Sequence, residues 1–227
     1  TGYREKTLAK NPSYNKAHIE RNERNVARNF NHPSVVVWSL GNESGMGQNF
    51  KDAYDFVKKM DPSRPVHYER ALSEDFDVAG AGYTDITCPM YADYKYTENY
   101  GKNEKAIRPL IQCEYAHAMG NSIGVFKEDW DLIRKYPNVQ GGYIWDFVDQ
   151  SLRWTGKNGA TIYAYGGDFN KTDATDQNFC DNGLISPDRV PNPHMYEVGY
   201  YYQNIWTTLK GNSLEIFNEN FFKDLSN

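Results

Sequence analysis

Apolar and polar positions alternate along the chain in blocks whose period switches between that of a helix and that of a strand. Residues 13 to 30 are mostly polar, with Ile19, Val26 and Phe30 forming a weak helical stripe that "NHP" at 31 to 33 stops. The unbroken apolar run "VVVWSL", 35 to 40, predicts a buried strand. "NFKDAYDFVKKM" then sets Phe50, Ala53, Tyr54, Val57 and Met60 at helical spacing, and "DPSRP" breaks that helix ahead of a short strand "VHYE", 66 to 69. A loop leads to the strand "DITCPMY", 85 to 91, and a polar, Tyr-rich segment leads to the strand "RPLIQCEY", 108 to 115. In "NSIGVFKEDWDLIRKY" the residues Ile123, Phe126, Trp130 and Ile133 recur at steps of three and four, predicting a helix before the strand "VQGGYIWDF", 139 to 147.

Strands apolar on both faces and joined by helical or irregular crossovers imply a parallel sheet. The α/β options are an open doubly wound sheet or a (β/α)8 barrel. No Gly-rich phosphate fingerprint follows any strand, so the dinucleotide-binding version loses support. After Phe147 the pattern changes: "LRWTGKNGATIYAY" predicts a hairpin turning at Gly156 to Gly159, an irregular stretch runs to Pro193, and "PHMYEVGYYYQNI" predicts a short helix before a further β segment, "WTTLKGNSLEIF". There is no internal repeat and no low-complexity tract.

Charge and composition narrow the partners. The 227 residues carry 25 Lys plus Arg against 30 Asp plus Glu, a net charge of -5 with no basic block, which argues against nucleic acid. No stretch reaches the roughly 20 apolar residues that span a bilayer, which argues against a membrane partner. The chain starts at Thr1, so an upstream signal would not be visible. Cys88, Cys113 and Cys180 are too few and scattered for a disulfide framework or a zinc site. Aromatics reach 15%, which serves ordinary packing and equally suits the flat C–H faces of sugar rings.

The C-terminal ends of the five strands carry Asn42-Glu43, Glu69, Met90-Tyr91, Glu114-Tyr115 and Trp145-Asp146. In barrel enzymes this rim holds the chemistry. One carboxylate there is as readily a solvated turn residue or a helix cap. Two glutamates at equivalent ends of one sheet are what glycosidic cleavage needs, one to protonate the leaving oxygen and one to attack the anomeric carbon or activate water. Tyr91 and His117 are candidate hydrogen-bond donors near Glu114.

Four stretches carry a more specific signal: "NHPSVVVWSLGNESG" (31 to 45), "RPLIQCEYAHAMGNS" (108 to 122), "QGGYIWDFVDQSL" (140 to 152) and "YGGDF…FCDNGL" (165 to 184). In this order they resemble the β-galactosidases of glycoside hydrolase family 2. The resemblance implies retaining hydrolysis of terminal non-reducing β-D-galactose residues, as in lactose, by double displacement. Glu43 matches the acid/base and Glu114 the nucleophile, and retention puts their carboxyls about 5 to 5.5 Å apart. Asn42 matches the ligand of the sugar 2-hydroxyl, Tyr91 the tyrosine beside the nucleophile, His117 a galactose hydroxyl ligand and Trp145 the aromatic floor. Two metals come with the family: Mg2+ on Glu43 together with an upstream glutamate and histidine, and Na+ on the Phe179 carbonyl and Asn182 together with an upstream aspartate. Each residue keeps a plainer reading as packing, turn or satisfied polar group, and Glu69 reads as a structural hydrogen-bonding carboxylate. Met46 stands where related sequences often have histidine.

The fold so implied is α/β, a partial TIM barrel of about five of eight units over 1–203, followed by the beginning of a β-sandwich over 204–227. With three strands and the upstream metal ligands outside it, the chain is expected to be an inactive fragment of a cytoplasmic, homo-oligomeric enzyme acting on β-galactosides. Two other readings stand beside it: a β-glucuronidase or β-mannosidase of the same family, and a non-catalytic carbohydrate-binding or assembly module.

Overall fold

The computed structural model describes residues 7–71 and 83–226, so most of the loop expected ahead of Asp85 lies outside the described residues. In chain order the elements are α1 (Asn15–Asn29), β1 (Trp38–Ser39), α2 (Gln48–Met60), β2 (Val66–His67), α3 (Tyr94–Gly101), β3 (Leu110–His117), α4 (Phe126–Lys135), β4 (Val139–Trp145), β5 (Leu152–Thr155), β6 (Thr161–Ala164), α5 (Pro193–Tyr201), β7 (Ile205–Lys210) and β8 (Ser213–Asn218). They fall into two compact units, Thr1–Ala116 with Asp131–Ile144, and His117–Trp130 with Trp145–Asn227.

In the first unit β1 pairs in parallel with β2, Trp38 opposite Val66. Residues 85–91 run on from there: the Asp85 N–H donates to the Val66 carbonyl, and Thr87 and Met90 form parallel bridges to Leu110 and Glu114. This segment is bridged and not a regular strand. Pro89 has no N–H to give a ladder, which accounts for the interruption. β3 then neighbours β4. Neighbours in the sheet therefore follow chain order, the arrangement that helical crossovers between parallel strands produce.

The helices cover this sheet with the residues their spacing predicts. Phe50, Ala53 and Val57 of α2 are buried against Trp38, Leu40, Val66 and Tyr68, with Val26 of α1 in the same core. Phe50 stacks on Tyr68 at 4.0 Å between ring centroids. Burying side chains of this size is worth about 1.5 to 3 kcal/mol each. Phe30 departs from the expected stripe: it is 45% exposed and carries the Arg64 guanidinium over its ring. A smaller core joins Tyr100, Leu110 and Val139.

Two helices differ from the pattern. α3 forms inside the polar segment because Asp93 caps it, accepting the Tyr96 N–H at 2.7 Å. α4 starts at Phe126 and not near Asn121, since Val125 takes a left-handed φ of 53° that a helix cannot continue through.

The second unit is built from two hairpins and α5. β5 pairs antiparallel with β6, Leu152 opposite Ala164, and the turn closes where the Gly159 N–H donates to the Gly156 carbonyl. β7 pairs antiparallel with β8, Ile205 opposite Asn218. Phe126, Trp130, Tyr201 and Tyr202 form an aromatic cluster, with Trp130 edge-on to Tyr202 at 5.1 Å. At Gly183 the backbone passes so close to Val148 and Asp149 that a Cβ would lie 2.1 Å from the Asp149 nitrogen, so no other residue fits.

Candidate functional site

Two residues of the first unit's rim are held in left-handed backbone conformations, Glu43 at φ 48° and Tyr91 at φ 49°. A residue with a Cβ adopts that conformation at a cost of roughly 1 kcal/mol, so something must hold it there.

For Glu43 the holder is the end of β2. The Glu43 N–H donates to Glu69 Oε1 at 2.6 Å, the Ser44 N–H to Tyr68 Oη at 3.2 Å, and Tyr68 Oη donates to the Gly45 carbonyl at 2.7 Å. Asn42 lies on the same exposed turn, where its carbonyl accepts the Ser44 hydroxyl. The anchoring side chains are buried, Tyr68 wholly and Glu69 to 2% exposure, whereas the Glu43 side chain is 59% exposed. The Arg70 guanidinium lies 3.8 Å from the Glu43 carboxylate and 3.4 Å from the Glu69 carboxylate. Burial pushes Glu69 above the usual glutamate range; the hydrogen bond from Glu43 and the Arg70 charge only partly oppose it.

For Tyr91 the holder is β3. Its N–H donates to the Glu114 carbonyl at 2.7 Å, and its phenol donates to Glu114 Oε2, also at 2.7 Å. Burial raises the Tyr91 phenol far above its ordinary value; the bond to Glu114 and that residue's charge add to this, with Cys113 and Glu43 contributing less. The phenol is therefore a donor at every working pH, and Glu114 keeps an ordered hydrogen bond on one oxygen. Cys88 and Cys113 are pushed up to about 12, foremost by burial, and Glu69 raises both further. Neither thiol is a nucleophile at neutral pH.

The second unit gathers the remaining candidates. The His117 ring lies 5.5 Å from that of Phe179, and the Asn182 amide donates to the Phe179 carbonyl at 2.6 Å. The Trp145 carbonyl accepts the Ala118 N–H, and Asp146, next along, donates its N–H to the Asn182 carbonyl. The Trp145–Asp146 peptide bond is cis and the indole is 37% exposed. Glu43, Asn42, Tyr91 and Glu114 thus belong to the first unit, and His117, Trp145, Phe179 and Asn182 to the second.

Residues 2–207 match the family described as "Glycosyl hydrolases family 2, TIM barrel domain". The chain belongs to glycoside hydrolase family 2. A β-galactosidase of Aeromonas hydrophila subsp. hydrophila is 43% identical over 234 residues, which cover 97% of this chain and 22% of that relative, so the chain spans about a fifth of its length. The solved β-glucuronidases of Ruminococcus gnavus and Faecalibacterium prausnitzii share the fold. The first has a TM-score of 0.56 at 20% identity over 85% of this chain and 36% of its own; the second has 0.54 at 21% over 82% and 34%.

The family 2 metals fit the described residues unequally. Asn182 Oδ1 is buried without a hydrogen-bond partner in a residue 1% exposed, an oxygen that suits Na+, while the Phe179 carbonyl is taken by the Asn182 amide nitrogen, so the pair fits that ion only in part. For Mg2+ the resemblance names Glu43 alone in this chain, with the Arg70 cation close by. No group of three or more His, Cys, Asp or Glu is placed to hold a metal among the described residues. Tyr68 and Arg70 went unnoticed in the sequence; their one signal there was adjacency to Glu69 at a strand end.

Proposed function

We propose that this segment carries the reacting carboxylates of a retaining β-galactosidase. Glu43 protonates the glycosidic oxygen as Glu114 attacks the anomeric carbon, the carbon–oxygen bond to the aglycone breaks, and a galactosyl ester forms on Glu114. Water then attacks the anomeric carbon as its bond to the Glu114 oxygen breaks and gives its proton to Glu43, which restores both residues and, after two inversions, retains the configuration. Tyr91 steadies the attacking carboxylate, and Asn42 holds the 2-hydroxyl. By the resemblance His117 is read as a hydroxyl ligand and Trp145 as a stacking surface, the latter supported by an indole 37% exposed. The observation that carries the reading is the Tyr91 phenol on Glu114 Oε2 at 2.7 Å, one carboxylate ordered for attack while the other stays open to solvent.

The finer fold belongs to the same proposal: about five of eight barrel units over 1–203 and the start of a β-sandwich over 204–227. Na+ held by Phe179 and Asn182 would fix that turn by charge, and Glu43 would give a carboxylate oxygen to Mg2+. The three free cysteines support a cytoplasmic setting, and a homo-oligomer is expected by likeness alone. The β-glucuronidase reading rests on neighbours that share only the fold, whereas the 43% identity is to a β-galactosidase. To test the proposal, the protein as the cell makes it is treated with a 2-fluoro-galactoside bearing a good leaving group and its peptides are weighed. A galactosyl adduct on Glu114 is expected. An adduct elsewhere, or none while the glucuronic acid analogue labels, overturns it.

A further inference from the structure

We infer that Glu69, with Tyr68 beside it, is the positioning residue for the proton donor. This rests on the reading of Glu43 as that donor.

The Glu43 carboxylate is 59% exposed, and among the described residues the contact its side chain makes is the Arg70 guanidinium at 3.8 Å, too long for a hydrogen bond to aim it. A loose ion pair on an exposed side chain orders it little, so aim comes mainly from the backbone, which here is in a conformation a glutamate does not choose: φ 48°, held by the N–H bond to Glu69 Oε1. Rotating φ back to its ordinary range swings the Cα–Cβ bond and carries the carboxyl away by several ångströms, whereas a misplacement of ~1 Å can cost ~100-fold in rate.

The clamp has two points. Glu69 takes the N–H of Glu43, and Tyr68 Oη takes the N–H of Ser44 while donating to the Gly45 carbonyl. Both side chains come from consecutive residues following β2. Tyr68 is fixed by its stack on Phe50, so the turn is referred to the helix-packed core and not to solvent. A buried carboxylate is a stronger acceptor for a backbone N–H than a neutral oxygen, which gives a reason for an acid at a position only 2% exposed. Arg70, 3.4 Å from the same Glu69 oxygen, counters that charge.

A donor held off its mark fails in a way that structural damage does not reproduce. Protonation matters for an alkoxide-like leaving group and hardly at all for one that departs as a stable anion. The test compares hydrolysis of a phenyl β-galactoside with that of the 2,4-dinitrophenyl β-galactoside in the protein as the cell makes it. Glu69→Leu removes the acceptor; Glu69→Gln keeps an oxygen for the Glu43 N–H. For Glu69→Leu, kcat/KM on the phenyl substrate is expected to fall ~100-fold and on the dinitrophenyl substrate less than ~5-fold, with Glu69→Gln within ~5-fold of the parent on both. Tyr68→Phe, which keeps the ring stack, gives the same selective loss at about ten-fold and stands in if the leucine variant does not fold. Equal losses on both substrates, or none, overturn the inference. Glu43→Gln is run in parallel: if it shows no leaving-group dependence, the donor assignment fails and the inference falls with it; if it does and the Glu69 and Tyr68 variants do not, only the positioning role is lost.

Discussion

Asp61 in the first unit and Asp129 in the second are both aspartates buried to under a tenth of their surface, 1% and 9% exposed, yet their acidities move in opposite directions. Burial works on each alike, raising the carboxyl. At Asp61 it is overcome by donors: the Ser63 hydroxyl and N–H, the Trp38 indole at 2.9 Å and the Arg64 guanidinium at 2.7 Å, which together hold the group well below the usual carboxylate range. At Asp129 burial stands almost alone, Glu128 adds to it, and the group is pushed up to about 6. A buried carboxylate is a lock or a load according to the donors aimed at it.

The largest effect follows from breaking the lock. Asp61→Asn leaves Trp38 Nε1 and Arg64 poorly paired beneath α2 and is expected to lower stability by about 3 kcal/mol, read as a drop of roughly 6 to 12 °C in thermal midpoint at pH 7. Turnover per folded molecule stays unchanged. A loss under about 1 kcal/mol means the donors are satisfied elsewhere.

How much of this contrast the sequence carries depends on which residues supply the donors. The α2 stripe is legible because apolar periodicity is local, whereas the buried strand expected over 35–40 shrinks to Trp38–Ser39 with Val36 66% exposed, and of the two glutamates expected at strand ends Glu43 lies beyond β1 and Glu114 lies inside β3 (Leu110–His117). "DPSRP" reads only as a helix stop. That Asp61 also takes the indole N–H of Trp38, 23 residues away, is a long-range fact. α3 was hidden by its polarity, although Asp93 as its cap was a local sign. Residues 85–91 were legible as extended chain but not as a bridged segment, and Pro89 was the warning. For the site, the motifs mark Tyr91 and Glu114 one by one. The clamp of Tyr68 and Glu69 on Glu43 depends on β1 lying beside β2, which no residue spacing states.

Lifting the load is the second effect. Asp129 has a folded value above its unfolded one of 3.8, so between pH 3.8 and about 6 the native state holds the extra proton and stability falls as pH rises. Asp129→Asn removes that slope and is expected to raise stability by about 1 kcal/mol at pH 7.5, after allowing for the favourable helix N-terminal charge it gives up, with no gain at pH 3.5. Asp61 has the opposite sign: its folded value lies below 3.8, its contribution is whole above that pH, and it is lost as acid titrates the group below it. Thermal midpoints of the parent and both variants across pH 3 to 8 check the pair. Parallel slopes in the two variants contradict the contrast.

Smallest in stability, and sharpest for function, is the third kind of carboxylate. Glu114 accepts the phenol of Tyr91, a residue 40% exposed, so the bond is partly solvated and holds little of the fold. Tyr91→Phe is expected to change stability by under about 0.5 kcal/mol, against the roughly 3 kcal/mol at Asp61. On the reading of Glu114 as nucleophile, the same deletion frees the attacking oxygen to rotate and lowers kcat roughly ten- to a hundred-fold, with KM moving little. The two variants then dissociate: one loses fold and keeps its rate, the other loses rate and keeps its fold. Should Tyr91→Phe lower the thermal midpoint as much as Asp61→Asn does, the rim carboxylate is a structural lock like Asp61, and the case for its attacking a sugar loses its main geometric support.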